Sequence, residues 1–498
     1  MTDPHSRRAG VPPVARATPA SLPRPCLSGL AALAGVILLS ACAAVPHDQP
    51  KLKVADAPAM GLTGPEAMAI SPEWWTALDD PQLNRIMGDA LAGSPTLEQA
   101  MARIDLAQSA IRYTKAGLLP HVSAQGSFTE ERFSNRSIYP APLGGSWNSM
   151  NSLEADLSWS LDLAGKQKAL IGIARTYARS TALDVAAARV SLSGAVAQAY
   201  VNLARAEALT KLSVDFVGAR QKQLDLTQAR VNAKLASELD MAAARTLLAE
   251  AQQAQTRAEG QRLMAVHALA SLAGRGADYY ATIQPTTLRF DSALPVPDAL
   301  PIDLLARRAD IASALTHVEM AQGGVKYSRA SFYPDVNLQA FIGTSALGLA
   351  HLLTPEAMTG GGGPAIHLPI FEGGALRANY RASVTGVDIS IAQYNDAVVK
   401  AVKEAADALS TVATNKADLE EQGRVVEGLE QTQRLDQVRL RSGLGTRFDT
   451  LSSAQRLLTA RQAQTGLAAD GLSARVQLVV AMGGGFTPIP DTPAKANP

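Results

Sequence analysis

Large parts of this chain are written twice. Ala107 and Gln108 recur as Ala321 and Gln322, Tyr113 as Tyr327, Pro120 as Pro334, Val122 as Val336 and Gln125 as Gln339, every pair 214 positions apart. At the same spacing Lys115 is answered by Arg329 and Ala116 by Ala330. Farther along, Leu161–Gly165 aligns with Pro369–Gly373 at an offset of 208, Asp240 with Asp449 at 209, and Ala273-Gly274 with Gly483-Gly484 at 210. Alanine-rich helices align by accident, but matched prolines, glutamines and tyrosines do not follow from composition bias. A period this long means that each structural unit has a counterpart, so whatever folds in one half folds again in the other.

Proline placement says what the units are. None occurs from Leu143 to Gln284 or from Ile370 to Thr487, windows that occupy equivalent places in the two halves. A proline inside a helix costs about 3 kcal/mol or more, so these windows permit very long helices. Both are rich in Ala, Leu, Gln, Arg and Glu, which are strong helix formers. Val214, Val217, Leu224, Leu226 and Val231 approximate an apolar seam at three-to-four-residue spacing. A helix from Gly165 to Val231 is roughly 100 Å long at ~1.5 Å per residue, a length that suits a tunnel better than a globular domain.

Each half also carries two strand candidates. Over Ser152–Leu163, Leu153, Ala155, Leu157, Trp159, Leu161 and Leu163 alternate with Ser152, Glu154, Asp156, Ser158, Ser160 and Asp162. That pattern predicts a strand with one apolar and one polar face, long enough for a tilted membrane strand of ~9 to 11 residues. Shorter copies are Val122, Ala124, Gly126 and Phe128, then Val336, Leu338, Ala340 and Ile342; a fourth is Ala365–Phe371 with Ile366, Leu368 and Ile370 on one face. In a membrane, Glu154, Asp156 and Asp162 would line water while Trp159 and the leucines meet lipid. An ordinary antiparallel sheet with one wet face alternates identically, and the alternation does not separate the two. Four strands cannot close a barrel, and open edges are not viable in lipid, so a spanning sheet requires several chains.

Composition narrows the function. Forty-six basic residues face forty-five acidic ones, a net charge of +1 that argues against a nucleic-acid partner. Two cysteines exclude a disulfide scaffold and a Cys-rich zinc site, and seven histidines leave little material for a metal. His351 and His367 flank a glycine-rich loop without zinc-motif spacing. The glycine clusters Gly360–Gly363 and Gly443–Gly445 lack the Gly-Lys-Ser/Thr ending of a phosphate loop and read as turns. The expectation is therefore no enzyme, no metal and no cofactor except a covalent lipid.

That lipid is read from the first segment. Arg7, Arg8, Arg16 and Arg24 precede an apolar run from Leu27 to Ala41, the layout of a secretory signal and too short for a spanning helix of roughly 20 residues. Its end, Leu39-Ser40-Ala41-Cys42, resembles the bacterial lipobox, which implies cleavage before Cys42 and acylation, for example with palmitate, of that cysteine. Ala43 in place of aspartate implies, by the same resemblance, sorting to the outer membrane. The other cysteine, Cys26, lies in the removed part. The organisation expected is a signal peptide at 1–41, a lipid-anchored extended segment at 42–94, a first repeat at 95–284, a linker at 285–299, a second repeat at 300–486 and a tail at 487–498.

Together with Trp74-Trp75 ahead of Leu78, Asp79, Asp80 and Leu83, the stretch Leu97–Ala107, Leu300–Ile311, Leu368–Gly374 and Met482–Phe486, this pattern resembles the TolC-type outer-membrane efflux channels, specifically their NodT-like lipoprotein subgroup. Members usually have proline where this chain has Ala309. The resemblance implies a mainly α fold with a small β part: tandem long-helix hairpins form an α-barrel tunnel, and four strands per chain enter the twelve-stranded transmembrane barrel of a homotrimer. It implies a passive duct for small toxic compounds or drugs, held in outer-membrane lipid. Its partners would be a periplasmic adaptor and an inner-membrane pump, proton-driven rather than ATP-driven. The exit duct of a type I secretion system shares this architecture, and a non-conducting, lipid-anchored coiled-coil scaffold is a reading from another class.

By family pattern, Lys234–Asp240 and Gly443–Asp449 are the hairpin tips at the periplasmic mouth. Leu235, Ala236 and Ser237 in the first, with Gly443, Leu444, Gly445 and Thr446 in the second, would dock the adaptor. Asp449, with Arg447 and Ser452 beside it, would form the gate, since a ring of three carboxylates concentrates cations at a narrow mouth. Some relatives carry a second acid where this chain has Ser452, so fewer charges are expected here. Asp240 and Asp449 also fit simple helix N-caps, and both roles can hold at once.

Overall fold

The computed structural model describes residues 46–486 apart from 63–64, 66–69, 137, 293, 295 and 298 and the side chain of 59. The signal peptide, Cys42 and the tail from 487 lie outside the described residues. The elements are α1 (Pro81–Gly93), α2 (Pro95–Ala116), β1 (His121–Arg132), β2 (Trp147–Leu161), α3 (Lys166–Asn232), α4 (Glu238–Leu272), α5 (Ala309–Ala330), β3 (Asp335–Leu347), β4 (Met358–His367), α6 (Ala375–Arg441) and α7 (Arg447–Ala481). Corresponding helices are equally long in the two halves: 22 residues in α2 and α5, 67 in α3 and α6, 35 in α4 and α7. The long helix expected from Gly165 runs from Lys166, one residue later.

The strands form one antiparallel meander in the order β1-β2-β3-β4. The helices beside it follow the same order, with α2 against α3, α3 against α5 and α5 against α6. Each of these four helices continues one strand, so chain continuity alone makes a curved wall that is half sheet and half helix. The 35-residue helices fold back along the far halves of α3 and α6 as hairpins. Along α4 the buried positions Ala244, Ala251 and Ala258 recur every seven residues, a heptad of small side chains that allows close helix approach. In α3 the seam differs from the expected one: Ser213 and Thr227 are buried, whereas Val214 is 53% exposed.

The main core lies at mid-height. Trp74, Trp75, Leu78, Leu83, Ile86 and Met87 pack there with Tyr200 and Leu203 of α3, Leu269 of α4 and Leu472 of α7. The segment expected to be extended up to residue 94 is instead partly helical. Asp80 caps α1, its Oδ1 accepting from the Gln82 and Leu83 amides at 2.9 and 3.2 Å, with Pro81 at the first helical position, where its missing N–H costs nothing. Its Oδ2 accepts from the Thr287 amide and hydroxyl at 3.2 and 3.1 Å. The segment joining the halves is thereby fastened to the core, where Leu294 is buried.

Two strands begin earlier than the alternation indicates. β2 starts at Trp147 and ends at Leu161, and β4 spans Met358–His367 rather than 365–371. Gly360–Gly363, read as a turn, forms the middle of β4 and pairs with Ile342, Phe341, Ala340 and Gln339. A Cβ on Gly362 would sit 3.0 Å from the Ala340 Cβ, the close approach that glycine in a strand commonly marks.

Candidate functional site

The register sorts the faces of all four strands at once. Val122, Ala124 and Gly126 lie opposite Leu157, Ala155 and Leu153, which lie opposite Ala340, Ile342 and Thr344. Those in turn meet Gly362, Gly360 and Met358. Over these positions the face is apolar, or nearly so; toward the β1–β2 turn it also carries Asn151, Ser149, Glu130 and Arg132. The other face carries Ser123, Gln125, Glu154, Asp156, Ser158, Asn337 and Gln339, with Phe341 among them opposite Asp156.

In a soluble sheet the apolar face is covered. Here it is bare: Val122 is 68% exposed, Ile342 60% and Ile366 69%. Both edge strands, β1 and β4, present an unpaired side. Trp147 and Trp159 share the apolar face at opposite ends of β2, twelve residues apart, roughly 40 Å along a strand and about 28 Å across a bilayer at the usual tilt. Aromatic residues flank the apolar band of membrane strands in this way. The Trp159 indole also donates to the Leu118 carbonyl at 2.9 Å, tying the sheet to the turn after α2. No described helix is long and apolar enough to cross a membrane, which leaves the sheet as the candidate wall.

Glu154 and Asp156 stand on the polar face as expected, opposite Gln125 and Ser123 of β1. Asp162 does not. It lies past the end of β2, and its carboxylate accepts from the Gln167 and Lys168 amides at 2.9 and 2.8 Å at the start of α3. The alternation continues beyond the strand by coincidence, and the helix terminus, with its free N–H groups, claims the carboxylate.

At the far ends of the helices the two hairpin turns are built alike. Lys234 and Gly443 adopt φ of 62° and 73°, and the next amides, of Leu235 and Leu444, donate to the Arg230 and Arg439 carbonyls at 2.7 and 2.8 Å. Both helices therefore stop in a left-handed C-terminal turn that satisfies their last carbonyls. Ser237 then caps α4 and Thr446 caps α7, each in a reciprocal capping box with the aspartate three residues on. The Asp449 carboxylate accepts from the Thr446 amide at 2.9 Å and hydroxyl at 2.7 Å, and these bonds hold it below the usual carboxylate range. Asp240 is held down in the same way by Ser237. Arg447 opens α7 and Ser452 lies a turn later, both exposed beside Asp449. Ala236 and Gly445 sit half-buried in the turns. Leu235 and Leu444, 69% and 74% exposed, project from the two tips. Leu239 and Phe448, absent from the expected set, do the same one helical turn on; their signal was an apolar residue at the same place in both repeats.

The N-terminal segment runs along α6. The Lys51 and Leu52 amides donate to Asp388 Oδ1 at 2.7 and 2.9 Å, the Ala55 amide to Asn395 Oδ1 at 2.8 Å, and the Tyr380 hydroxyl to the Asp48 carbonyl at 3.2 Å. From Ala55 back to Asp48 this strap climbs toward the first residues of α6 and hence toward the sheet.

Residues 86–275 and 300–484 match the family model described as outer membrane efflux protein. The chain belongs to that family. This outer membrane efflux protein is 32% identical over 369 residues, 72% of the chain and 69% of the relative, to the fusaric acid resistance protein FusA of Burkholderia cepacia. It is 29% identical over 469 residues, 90% of the chain and 94% of the relative, to the probable efflux pump outer membrane protein TtgC of Pseudomonas putida. The crystal structure of the outer membrane protein VceC from Vibrio cholerae superposes at a TM-score of 0.74 with 30% identity, covering 84% of this chain and all of that one. The Campylobacter jejuni CmeC outer membrane channel shares the fold at a TM-score of 0.79 and 20% identity, over 88% and 95% of the two chains. The tandem hairpins and four-stranded sheet of this efflux protein are thus those of a TolC-like channel, with an α-barrel tunnel below a β-barrel.

Proposed function

We propose that three copies of this chain close into one twelve-stranded barrel in the outer membrane, continued by a helical tunnel into the periplasm. The observation that carries this is the bare apolar face of a sheet with two open edges. Lipid satisfies the face, and only pairing of β4 with β1 of the next copy satisfies the edges. Three identical four-stranded walls give a closed, symmetric ring. The polar face, with Glu154 and Asp156, then lines the water-filled bore.

The duct is passive and takes what an inner-membrane pump delivers through a periplasmic adaptor. Relatives described as efflux pump outer membrane proteins support this assignment over a secretion exit or a scaffold. The cargo is small toxic compounds, and the pump is proton-driven rather than ATP-driven. The exposed leucines of the tips, Leu235 and Leu444, suit docking of the adaptor's hairpins, and Asp449 combines its cap with a place at the gate. Acylation of Cys42 adds an anchor. The strap supports it, because Cys42 lies six positions before Asp48 and an extended chain of that length reaches about 20 Å, enough to bring the lipid to the inner leaflet.

Purified protein in planar bilayers tests the duct. Discrete ion-conducting steps are expected, enlarged in Asp449→Ala; an absence of current in both proteins would reject it.

A further inference from the structure

We infer that the inner wall of this channel carries a binding site for uncharged aromatic small molecules, at the junction of sheet and helices in the first half of the chain. The inference rests on the duct reading above, which makes the polar side of the sheet the inside.

A cavity of about 810 Å³ opens between α2, α3 and the lower ends of β1, β2 and β3. The strand residues that line it are His121, Ser158, Ser160 and Asn337, all on the polar face by register. It therefore opens on the side along which cargo travels. The rest of its lining, Thr114 and Gln167 apart, is of a different kind. Tyr113 of α2 and Tyr177 of α3 present rings, and Leu119, Leu170, Ile173 and Met320 supply aliphatic surface. In the single copy Tyr113 is 84% exposed and Leu119 65%, an apolar area on a wall whose strands carry mostly hydroxyl, amide and carboxylate groups, with Phe341 opposite Asp156 and Met150 opposite Leu347 as exceptions.

The repeat shows that this lining is not demanded by the fold. Leu170, Ile173 and Tyr177 lie one turn apart along one face of α3. Their counterparts in α6, 209 positions on, are Asn379, Ala382 and Gly386. Tyr113 has Tyr327 as its twin, but that ring is half-buried, with the Lys166 ammonium 5.7 Å from its centroid. The face of α6 is thus small and polar where that of α3 is apolar and aromatic, although Leu119 is answered by Tyr333, 41% exposed. Tyr113 is the more open of the twin tyrosines because α2 borders the free edge of a single copy while α5 packs between α3 and α6.

The chemistry of the lining names the ligand class. The volume lies in the range that accepts drug-sized molecules. No Asp, Glu, Lys or Arg lines the cavity, so a full charge on the ligand gains no partner there. Stacking and edge contacts with two tyrosines favour a ring, and the serines, Asn337 and His121 offer hydrogen bonds to polar substituents at its rim. The site would hold cargo briefly as it passes from tunnel to barrel.

The test uses the full-length protein in lipid nanodiscs and the uncharged fluorophore 4-methylumbelliferyl glucoside, read by equilibrium dialysis, with methyl glucoside as the ringless control. Saturable binding of the fluorophore alone is expected, weakened about tenfold or more in Tyr113→Ala/Tyr177→Ala, as loss of two aromatic contacts implies. Gly386→Ala, in the opposite repeat, should leave it unchanged. Binding equal in the double variant and the wild type, or no greater than to empty nanodiscs, overturns the site. Ion currents recorded on the same preparations separate the two claims. A conducting protein without ring-dependent binding refutes the site alone, whereas binding by a protein that never conducts refutes the duct and the bound molecule's standing as cargo.

Discussion

Lys234 and Gly443 hold the same place in the two hairpin turns, 209 positions apart, and both have left-handed backbones. The second repeat meets this requirement with glycine, the first with a residue whose Cβ opposes it, at a cost of roughly 1–2 kcal/mol. The tips are thus alike in hydrogen bonding and unequal in strain.

Lys234→Gly should therefore tighten the first tip, and Gly443→Ala loosen the second by about 1 kcal/mol, since a Cβ there meets nothing within 4 Å and only the backbone angle opposes it. Hydrogen exchange at the Leu235 and Leu444 amides reads both changes: protection rising severalfold in the first variant and falling severalfold in the second. A bulkier side chain at Ala236 should reduce cross-linking to the adaptor before it alters either amide.

The capping boxes carry a pH dependence of definite sign. Asp449 and Asp240 are held below the usual carboxylate range by bonds from Thr446 and Ser237. A carboxylate depressed in the folded state lends its stability above the unfolded value, about pH 3.9, and loses it as pH falls through the lower folded value. Protection of the first turn of α7 should be flat from neutrality to about pH 4 and decline below it. In Asp449→Asn that decline should be much reduced; an identical profile in both proteins would assign the dependence to other groups.

The strap is held by few bonds, and one carboxylate takes two of them. Asp388→Ala should free the Lys51 and Leu52 amides and speed tryptic cleavage after Lys51 and Lys53 severalfold, with the long helices unaffected. Cys42→Ala should abolish incorporation of labelled palmitate while transport continues, because the sheet itself holds the protein in lipid. Undiminished labelling would refute the acylation site.

Face assignment predicts an asymmetry between neighbours in β2. Leu157→Arg places a charge on the apolar face near mid-strand, where a membrane barrel loses about 2–4 kcal/mol, and should cut the yield of heat-resistant oligomer on gels. Ser158→Arg, one residue on, faces the bore and should assemble normally.

These faces were legible because alternation is a property of side chains, and β2 has one at every position. β4 was harder. Four consecutive glycines have no alternation to read, and their usual place is a turn, so pairing with β3 was visible only in space. Asp162 misled for the opposite reason: its polar side chain prolonged the alternation past a strand end that was fixed by the start of α3. The first long helix was read to within a residue at each end, and its twin as a proline-free window, because proline absence and helix-forming composition act locally. Asp240 and Asp449, expected as N-caps, are instead the third helical residues, and the caps are Ser237 and Thr446. The helix starts were placed three residues late because an aspartate serves either position of a capping box. The strap's contacts were not legible, because Asp48 and Tyr380 lie far apart in the sequence. Nor was the bareness of the apolar face, which depends on what the rest of the chain leaves uncovered.

Electron cryo-microscopy of the full-length protein in a lipid bilayer bears most directly on closure of the wall. The expected image is a three-fold particle in which β4 of each copy is hydrogen-bonded to β1 of the next, around an aqueous bore lined by Glu154 and Asp156. A single copy whose apolar strand face is covered by protein, or an assembly without a bore, would contradict it.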